Sequence, residues 1–386
     1  MVRLPIKPWL CCTSYMADKM KMNLLYITYI DFGQCKSGSS VRPQCIYQAF
    51  VECGCEVKLL EGLQNRRHER KQRVRETLEW LKNHNPDICY IEPPTGPLFN
   101  GIDHRLIRMV HRNGIPIGLF YRDAYWKYGL TKKGKGAGAL MKDFAIRMLQ
   151  ARDLKRFKKY CDIIYLPTQT AAESWGFERY KLLPPGCDTT AAVPQKSGST
   201  SCALYVGGVG EMYGTSTMLD AFSNINKGKV TVRLKLICRE NEWAGLDEIY
   251  RDLEESDWLE VLHISGDALA QQYAAADFAI HPLKKTAYND TAMPVKIMEY
   301  LAYGKPMVVT NCVEMSRFVT ENHIGIVADN TAKDMERAIL RLAQDTELRH
   351  ELENNCYIVR ERHAWRCRAE QVLEELSSVN PAHRHR

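Results

Sequence analysis

No stretch of this 386-residue chain approaches the eighteen or so consecutive apolar residues that a membrane span requires. The first twenty residues, MVRLPIKPWLCCTSYMADKM, have one basic flank, but their apolar run is too short for a secretory leader. The 14 cysteines contain no CxxC pair, which removes the common zinc clamps. Scattered thiols of this kind read as buried and reduced, as in cytoplasm. HExxH and Asp-x-Asp are also missing, so no metal ion or other cofactor is expected, and the GxxxxGK(S/T) phosphate loop is absent. No aromatic stacking module or recognition motif accompanies the basic residues, which argues against a nucleic-acid partner.

What is present is a marked division of charge. Residues 1–190 hold 31 Lys and Arg against 18 Asp and Glu, a net of +13, while residues 191–386 hold 22 against 28, a net of −6. The overall +7 therefore hides a basic half joined to an acidic half, and only the first suits an anionic partner. The basic excess is densest at 127–159, with eleven Lys and Arg against two acids and with Leu140, Phe144, Met148 and Leu149 interleaved at helical spacing. That pattern suits a helix lying on an anionic membrane surface. A solvated helix whose apolar side packs on its own domain would read the same way.

Buried strand patterns alternate with helical ones along most of the chain. NLLYITYI, CEVKLLEG, DICYIEPP, IPIGLFYRD, YCDIIYLP and YKLLPPGCD read as strands of a parallel sheet, with charged helices at 65–84 and 103–113. A second series follows: SCALYVGG, VTVRLKLICRE, WLEVLHIS, ADFAIHPL and PMVVTN. The fold class is therefore α/β, with two doubly wound Rossmann-like domains. The expected division is a tail at 1–21, an N-terminal domain at 22–190, a linker at 191–201, a C-terminal domain at 202–360, a closing helix at 361–378 and a tail at 379–386. Ligands of such sheets bind beyond the carboxyl ends of the strands. The loop at 33–40, ahead of a helix expected to start near Arg42 and Pro43, is one such edge.

The clearest local signal is AMPVKIMEYLAYGKPMVVT at 292–310, a short helix running straight into a buried strand. Pro294 suits the first helical position, and Gly304 with Pro306 supplies the stop. Val295, Met298, Leu301 and Ala302 form a core-facing stripe, while Lys296, Glu299 and Tyr303 share another face. Lys296 lies in the first turn, where unpaired N–H groups and the helix dipole favour an anion. Glu299 could take two hydroxyl hydrogen bonds; equally, Lys296 and Glu299 could be a plain i,i+3 ion pair worth roughly 0.2–0.5 kcal/mol.

PVKIMEYLAYGKPMVVT resembles the nucleotide-sugar-binding segment of GT-B glycosyltransferases, particularly family 4 and its near relatives. The resemblance implies that Glu299 holds the nucleotide ribose. It extends over residues 22–378: SGSSVRPQ resembles the acceptor-facing loop, here Gly38, Ser39 and Ser40, and YVGGVGEMYGTSTMLDAF resembles the first strand and loop of the second domain, with Gly207 and Gly208 approaching the diphosphate. Where the family often has an arginine and a lysine, Gly208 and Tyr213 stand; Arg239 and Lys296 are the remaining candidate cations. The first glutamate of the E-x7-E pattern is missing, with Thr291 in its place beside Asp290. Tyr288, Asn289 and Asp290 are then candidate sugar contacts.

Asp123, directly after a predicted strand, is the candidate for activating the acceptor hydroxyl. It could instead only orient the acceptor, or form a structural pair with Arg122. The resemblance implies a retaining transferase that moves a sugar from a nucleotide diphosphate sugar to a glycan or polyprenyl-linked acceptor, without metal, in surface polysaccharide or glycolipid synthesis. Two other readings stay open. Gly208, Gly210 and Gly214 spell a dinucleotide pattern that would suit a nicotinamide-dependent oxidoreductase, and the altered E-x7-E would suit a nucleotide-sugar-binding protein without transfer activity.

Overall fold

The computed structural model describes residues 21–32, 38–130, 136–191 and 200–379, with backbone alone at 38–40. Nearly all of the expected tail at 1–21, of the linker at 191–201 and of the tail at 379–386 lies outside the described residues.

Two six-stranded sheets, parallel throughout, organise the chain. The first contains β1 (Asn23–Thr28), β2 (Glu56–Leu60), β3 (Ile88–Glu92), β4 (Ile117–Phe120), β5 (Ile163–Leu166) and β6 (Lys181–Leu182), in the order 2-1-3-4-5-6. The second contains β7 (Ser201–Val206), β8 (Val232–Ile237), β9 (Leu259–Leu262), β10 (Phe278–His281), β11 (Met307–Thr310) and β12 (Gly325–Ala328), in the order 12-11-10-7-8-9. β3, β4, β10 and β11 are buried along their whole length, as apolar runs covered on both faces must be.

The first sheet is accompanied by α1 (Gly38–Glu52), α2 (Arg67–Trp80), α3 (Gly101–Arg112), α4 (Ala137–Tyr160) and α5 (Gln169–Trp175). With the second go α6 (Thr215–Ile225), α7 (Glu240–Trp243), α8 (Glu248–Arg251), α9 (Asp267–Ala275), α10 (Val295–Ala302), α11 (Val313–Glu321), α12 (Ala332–Gln344) and α13 (Thr346–Arg362). The last helix, α14 (Trp365–Ser377), returns to the first domain. Its Ala369, Val372, Leu373 and Leu376 join Tyr26, Phe50, Tyr90 and Phe120 in one core.

The closing helix expected at 361–378 begins at Trp365, after a break that separates it from α13. Backbone bonds from Cys187 N–H to the His363 carbonyl (2.8 Å) and from Trp365 N–H to the Cys187 carbonyl (3.2 Å) take up the groups that a continuous helix would use. Side by side, these two crossings are where the chain passes between the domains. α1 also starts earlier than the proline suggested: Pro43 lies inside it, near enough to the N-terminus to disturb little of the helix. The edge strand β12, GIVA, does not stand out in the sequence: it is half-exposed over three of its four residues and begins on a glycine.

Candidate active site

α10 opens at Val295, with Pro294 as its cap, and Gly304 ends it with φ 65°. Of the expected stripe Met298, Leu301 and Ala302 are buried and Val295 is half-buried, and Ile297 and Tyr300 are buried as well, because α13 covers the side away from the sheet and sets the Tyr357 ring against Gly304. Lys296, Glu299 and Tyr303 are left half-buried on the open side. Lys296 Nζ lies 2.6 Å from Glu299 Oε2. The ion pair considered from the sequence therefore exists, but it is part of something larger. Tyr273 of α9 donates its hydroxyl to the same oxygen at 2.5 Å, and its ring stacks on Tyr303 at 4.6 Å and 6°. Two donors thus fix the carboxylate through Oε2, leaving Oε1 available to a ligand. Burial, with the Glu299 charge beside it, raises the Tyr273 hydroxyl well above its ordinary pKa, so it remains a proton donor.

The loop after β7 lies alongside. Gly207 N–H bonds the Ile237 carbonyl at 3.0 Å, and the Tyr205 hydroxyl donates to the Gly208 carbonyl. A Cβ at Gly208 would meet the Tyr213 ring at 2.6 Å, and one at Gly214, where φ is 66°, would strike the Pro282 carbonyl. These glycines therefore serve close approach of the loop to its own surroundings, including the end of β10. Arg239 follows β8 as expected, but its guanidinium pairs with Glu242 at 2.9 Å and its side chain is 58% exposed.

The polar loop before α10 divides its three candidates. Asn289 is buried, its amide donating to the carbonyls of Lys284 (2.8 Å) and Met212 (3.3 Å). Asp290 accepts from Val313 N–H at 3.0 Å, at the first turn of α11, and pairs with Lys285 at 3.3 Å. Both side chains are thus committed to holding the loop. Tyr288 reaches across to the first domain, its hydroxyl 3.0 Å from Asp123 Oδ1 and its ring against Tyr125 (4.8 Å) and Tyr128 (5.5 Å).

Asp123 sits just beyond β4, its other oxygen 3.3 Å from Arg122 Nε and 3.5 Å from Thr95 Oγ1. The sequence suggests that Arg122 would hold this carboxyl low; instead burial outweighs Arg122 and raises its pKa from the ordinary value. Such a shift makes a better base. Two further contacts close this side of the cleft: Thr168 Oγ1 donates to the Thr291 carbonyl at 2.7 Å, and Glu314 Oε1 accepts from Thr170 N–H at 2.7 Å. Gly38, Ser39 and Ser40 form the first turn of α1, at the carboxyl edge of the first sheet. Their side chains, and the loop at 33–37, lie outside the described residues.

α4 is built with its polar side inward. Asp143, Gln150 and Asp153 are buried with Phe157, while Leu140, Met141, Phe144 and Met148 are exposed, Met141 by 74%. The inward side chains serve the loop after β3: Gln150 donates to the Thr95 carbonyl at 2.7 Å, and Asp153 accepts from Leu98 N–H at 2.7 Å and meets His104 at 3.0 Å. The alternative of an apolar side packed on its own domain is thereby overturned for Leu140, Phe144 and Met148, while Leu149 is half-buried. No helix among the described residues is long and apolar enough to cross a membrane, and no cluster of metal-ligating side chains is found among them.

Sequence reasoning passed over Tyr125, Tyr128, Tyr273 and His281. Only the last had a local signal: a histidine closing an otherwise apolar strand at the ligand-binding edge.

Two parallel doubly wound domains, meeting across a cleft lined by strand-end loops and closed by a returning C-terminal helix, define the GT-B class. Residues 201–345, most of the second domain, match the model of the family "Glycosyl transferases group 1". Among curated proteins, TuaH of Bacillus subtilis (strain 168), assigned to teichuronic acid biosynthesis as a glycosyltransferase, is 28% identical over 124 residues. That match spans 26% of this chain and 31% of TuaH. Among solved structures, WaaG, a glycosyltransferase involved in lipopolysaccharide biosynthesis, is similar over 92% of this chain and 100% of its own, with TM-score 0.64 and 14% identity. HepE of Anabaena in complex with UDP is similar over 93% and 100%, with TM-score 0.62 and 12% identity.

Proposed function

We propose that the chain is a glycosyltransferase that moves a sugar from a nucleoside diphosphate sugar to a glycan or lipid-linked acceptor in cell-surface polysaccharide or glycolipid synthesis, with retention and without a metal ion. The carrying observation is the placement of Glu299. It lies on the open side of α10, held through one oxygen by Lys296 and Tyr273, within the family-matched domain and across the cleft from Asp123. A carboxylate fixed in this way suits the two hydroxyls of a ribose, and Lys296 beside it suits a phosphate. The UDP complex of the similar HepE fold agrees with a nucleotide donor.

Asp123 is positioned to take the acceptor hydroxyl now represented by Tyr288. For an acceptor carried on lipid, α4 supplies the approach: Leu140, Met141, Phe144 and Met148 present an apolar strip, with exposed Lys142 and Lys155 beside it. Apolar side chains that enter the headgroup region, flanked by cations, fit peripheral binding to the cytoplasmic face of an anionic membrane.

The test is a thermal-shift panel of UDP-, GDP-, ADP- and dTDP-sugars beside NAD and NADP. A ligand at about 100 times its Kd stabilises by roughly 2.7 kcal/mol. One nucleotide-sugar class should raise the unfolding midpoint in the wild type and lose its effect in Glu299→Ala; a response to NAD or NADP alone would transfer the site to the glycine loop and an oxidoreductase.

A further inference from the structure

A nucleoside diphosphate brings two or three negative charges, yet the cations near the site are largely committed. Lys296 is on Glu299, Arg239 on Glu242, Lys285 on Asp290, and Lys284 on Glu211. The glycine loop contributes none. One nitrogen-bearing side chain stands apart from this accounting.

His281 is the last residue of β10, is 6% exposed, and has no hydrogen-bond partner at Nδ1 or Nε2. Its ring lies between Tyr205 of β7 (6.5 Å, 30°) and Tyr300 of α10 (6.3 Å, 68°). Neither tyrosine hydroxyl serves it. Tyr205 donates to the Gly208 carbonyl, while Tyr300 donates to the Ile280 carbonyl at 3.2 Å and accepts from Val206 N–H at 3.1 Å. A buried polar ring without partners is costly, and an apolar residue would fill the place more cheaply. Its location gives the reason: it stands at the carboxyl edge where the glycine loop and the first turn of α10 converge, within electrostatic reach of Lys296. Anionic groups enter α/β sheets at such an edge.

We propose that His281 is a diphosphate-binding residue, its ring N–H donating to a phosphate oxygen that enters between Gly207 and Gly208 on one side and the first turn of α10 on the other. The assignment rests on the nucleotide-sugar reading of the same cleft and supplies the donor that the glycine loop lacks. Burial first, and then the Lys296 charge, hold the free imidazole neutral, with its pKa down to about 4. The groups facing it from β7 and α10 are the uncharged Tyr205 and Tyr300 and the cation Lys296, itself paired with Glu299, so a bound diphosphate brings negative charge directly against the ring and shifts it toward the imidazolium.

Inorganic pyrophosphate, which has no base or ribose, isolates this contact. Titration calorimetry of the full chain should show pyrophosphate binding to the wild type and weakening at least tenfold in His281→Phe, the loss expected for a hydrogen bond to a charged group. His281→Phe should unfold no earlier than the wild type, because it removes two unpartnered nitrogens. Glu299→Ala, which frees Lys296, should bind pyrophosphate at least as tightly as the wild type while losing the additional affinity for UDP, GDP or ADP. Should His281→Phe not fold, the ring nitrogen resonances of His281 in the wild type give the answer instead, since they must move on pyrophosphate addition. Unmoved resonances, wild-type affinity in His281→Phe, or no binding to the wild type each overturn the proposal. Loss in His281→Phe with no nucleotide effect of Glu299→Ala would keep the anion contact and discard the nucleotide-sugar reading.

Discussion

The Tyr288 hydroxyl lies 3.0 Å from Asp123 Oδ1, joining the loop before α10 to the end of β4 across the cleft. It occupies the place that an acceptor hydroxyl needs if Asp123 is to orient or deprotonate it, so the acceptor must displace a side chain of the enzyme. Burial raises the Asp123 carboxyl above its unfolded value of 3.8. Its contribution to stability is therefore present below that value and is lost as pH rises through the folded pKa. Ionised Asp123 is a burden at neutral pH. Asp123→Asn should unfold at or above the wild-type temperature at pH 7 and keep its nucleotide affinity, while transfer falls by about 10²-fold or more. Undiminished transfer would reduce Asp123 to an interdomain contact.

Gly214 is the position in the glycine loop where an added methyl group meets backbone. With φ at 66° and the Pro282 carbonyl in the path of a Cβ, Gly214→Ala should cost roughly 2 kcal/mol or more and disturb the adjoining end of β10. Urea unfolding measures the first effect and pyrophosphate affinity the second. Gly228, whose Cβ position is open although φ is 87°, is the control, with a cost of about 1 kcal/mol expected for Gly228→Ala.

The two sides of α4 should respond oppositely to substitution. Met141→Ser with Phe144→Ser removes exposed apolar surface, so stability should stay within about 0.5 kcal/mol. Sedimentation with vesicles containing phosphatidylserine should fall, and unchanged binding would remove the membrane role. Asp153→Ala strands the Leu98 N–H and the His104 ring, and should cost about 1–3 kcal/mol with vesicle binding retained by the folded fraction.

The fold was legible because strands buried on both faces, such as β3, β4, β10 and β11, spell continuous apolar runs, and eleven of the twelve strands fall within segments that read as strands in the sequence. Only β12, four residues at a sheet edge, escaped. Helix boundaries were less legible where tertiary contacts set them: the break after α13 follows from the pairing of His363 and Trp365 with Cys187, which no local pattern announces. The site shows the same division. Lys296 and Glu299 could be placed from helical spacing and resemblance, whereas Tyr273 and Tyr288 acquire their partners from 26 and 165 residues away. Asn289 and Asp290 look in sequence like any polar loop residues, and only the structure shows their side chains committed to backbone. α4 leaves two readings open in the sequence. Its apolar residues have the spacing of a core face, but the loop after β3 presents bare backbone groups, so the polar side turns inward.

Acid should destabilise the protein earlier than its carboxylates alone would require. His281 is held down to about 4 by burial and then by Lys296, and His363 to about 3 by burial and then by Arg368, whose guanidinium donates to His363 Nδ1 at 2.5 Å. Both begin from an unfolded value of 6.5. Between that value and the folded one, the unfolded chain binds protons that the native state refuses, so stability rises with pH across this interval and falls as the solution is acidified. About one pH unit above 6.5 neither ring contributes appreciably to the slope. For His281 alone the loss on going from pH 7 to pH 4 is about 3 kcal/mol. In His281→Phe that part of the decline should disappear while the His363 part remains. Urea unfolding at pH 7, 5.5 and 4.5 tests this directly: the wild type and His281→Phe should differ progressively more as pH falls, and parallel curves would show that His281 titrates normally in the fold.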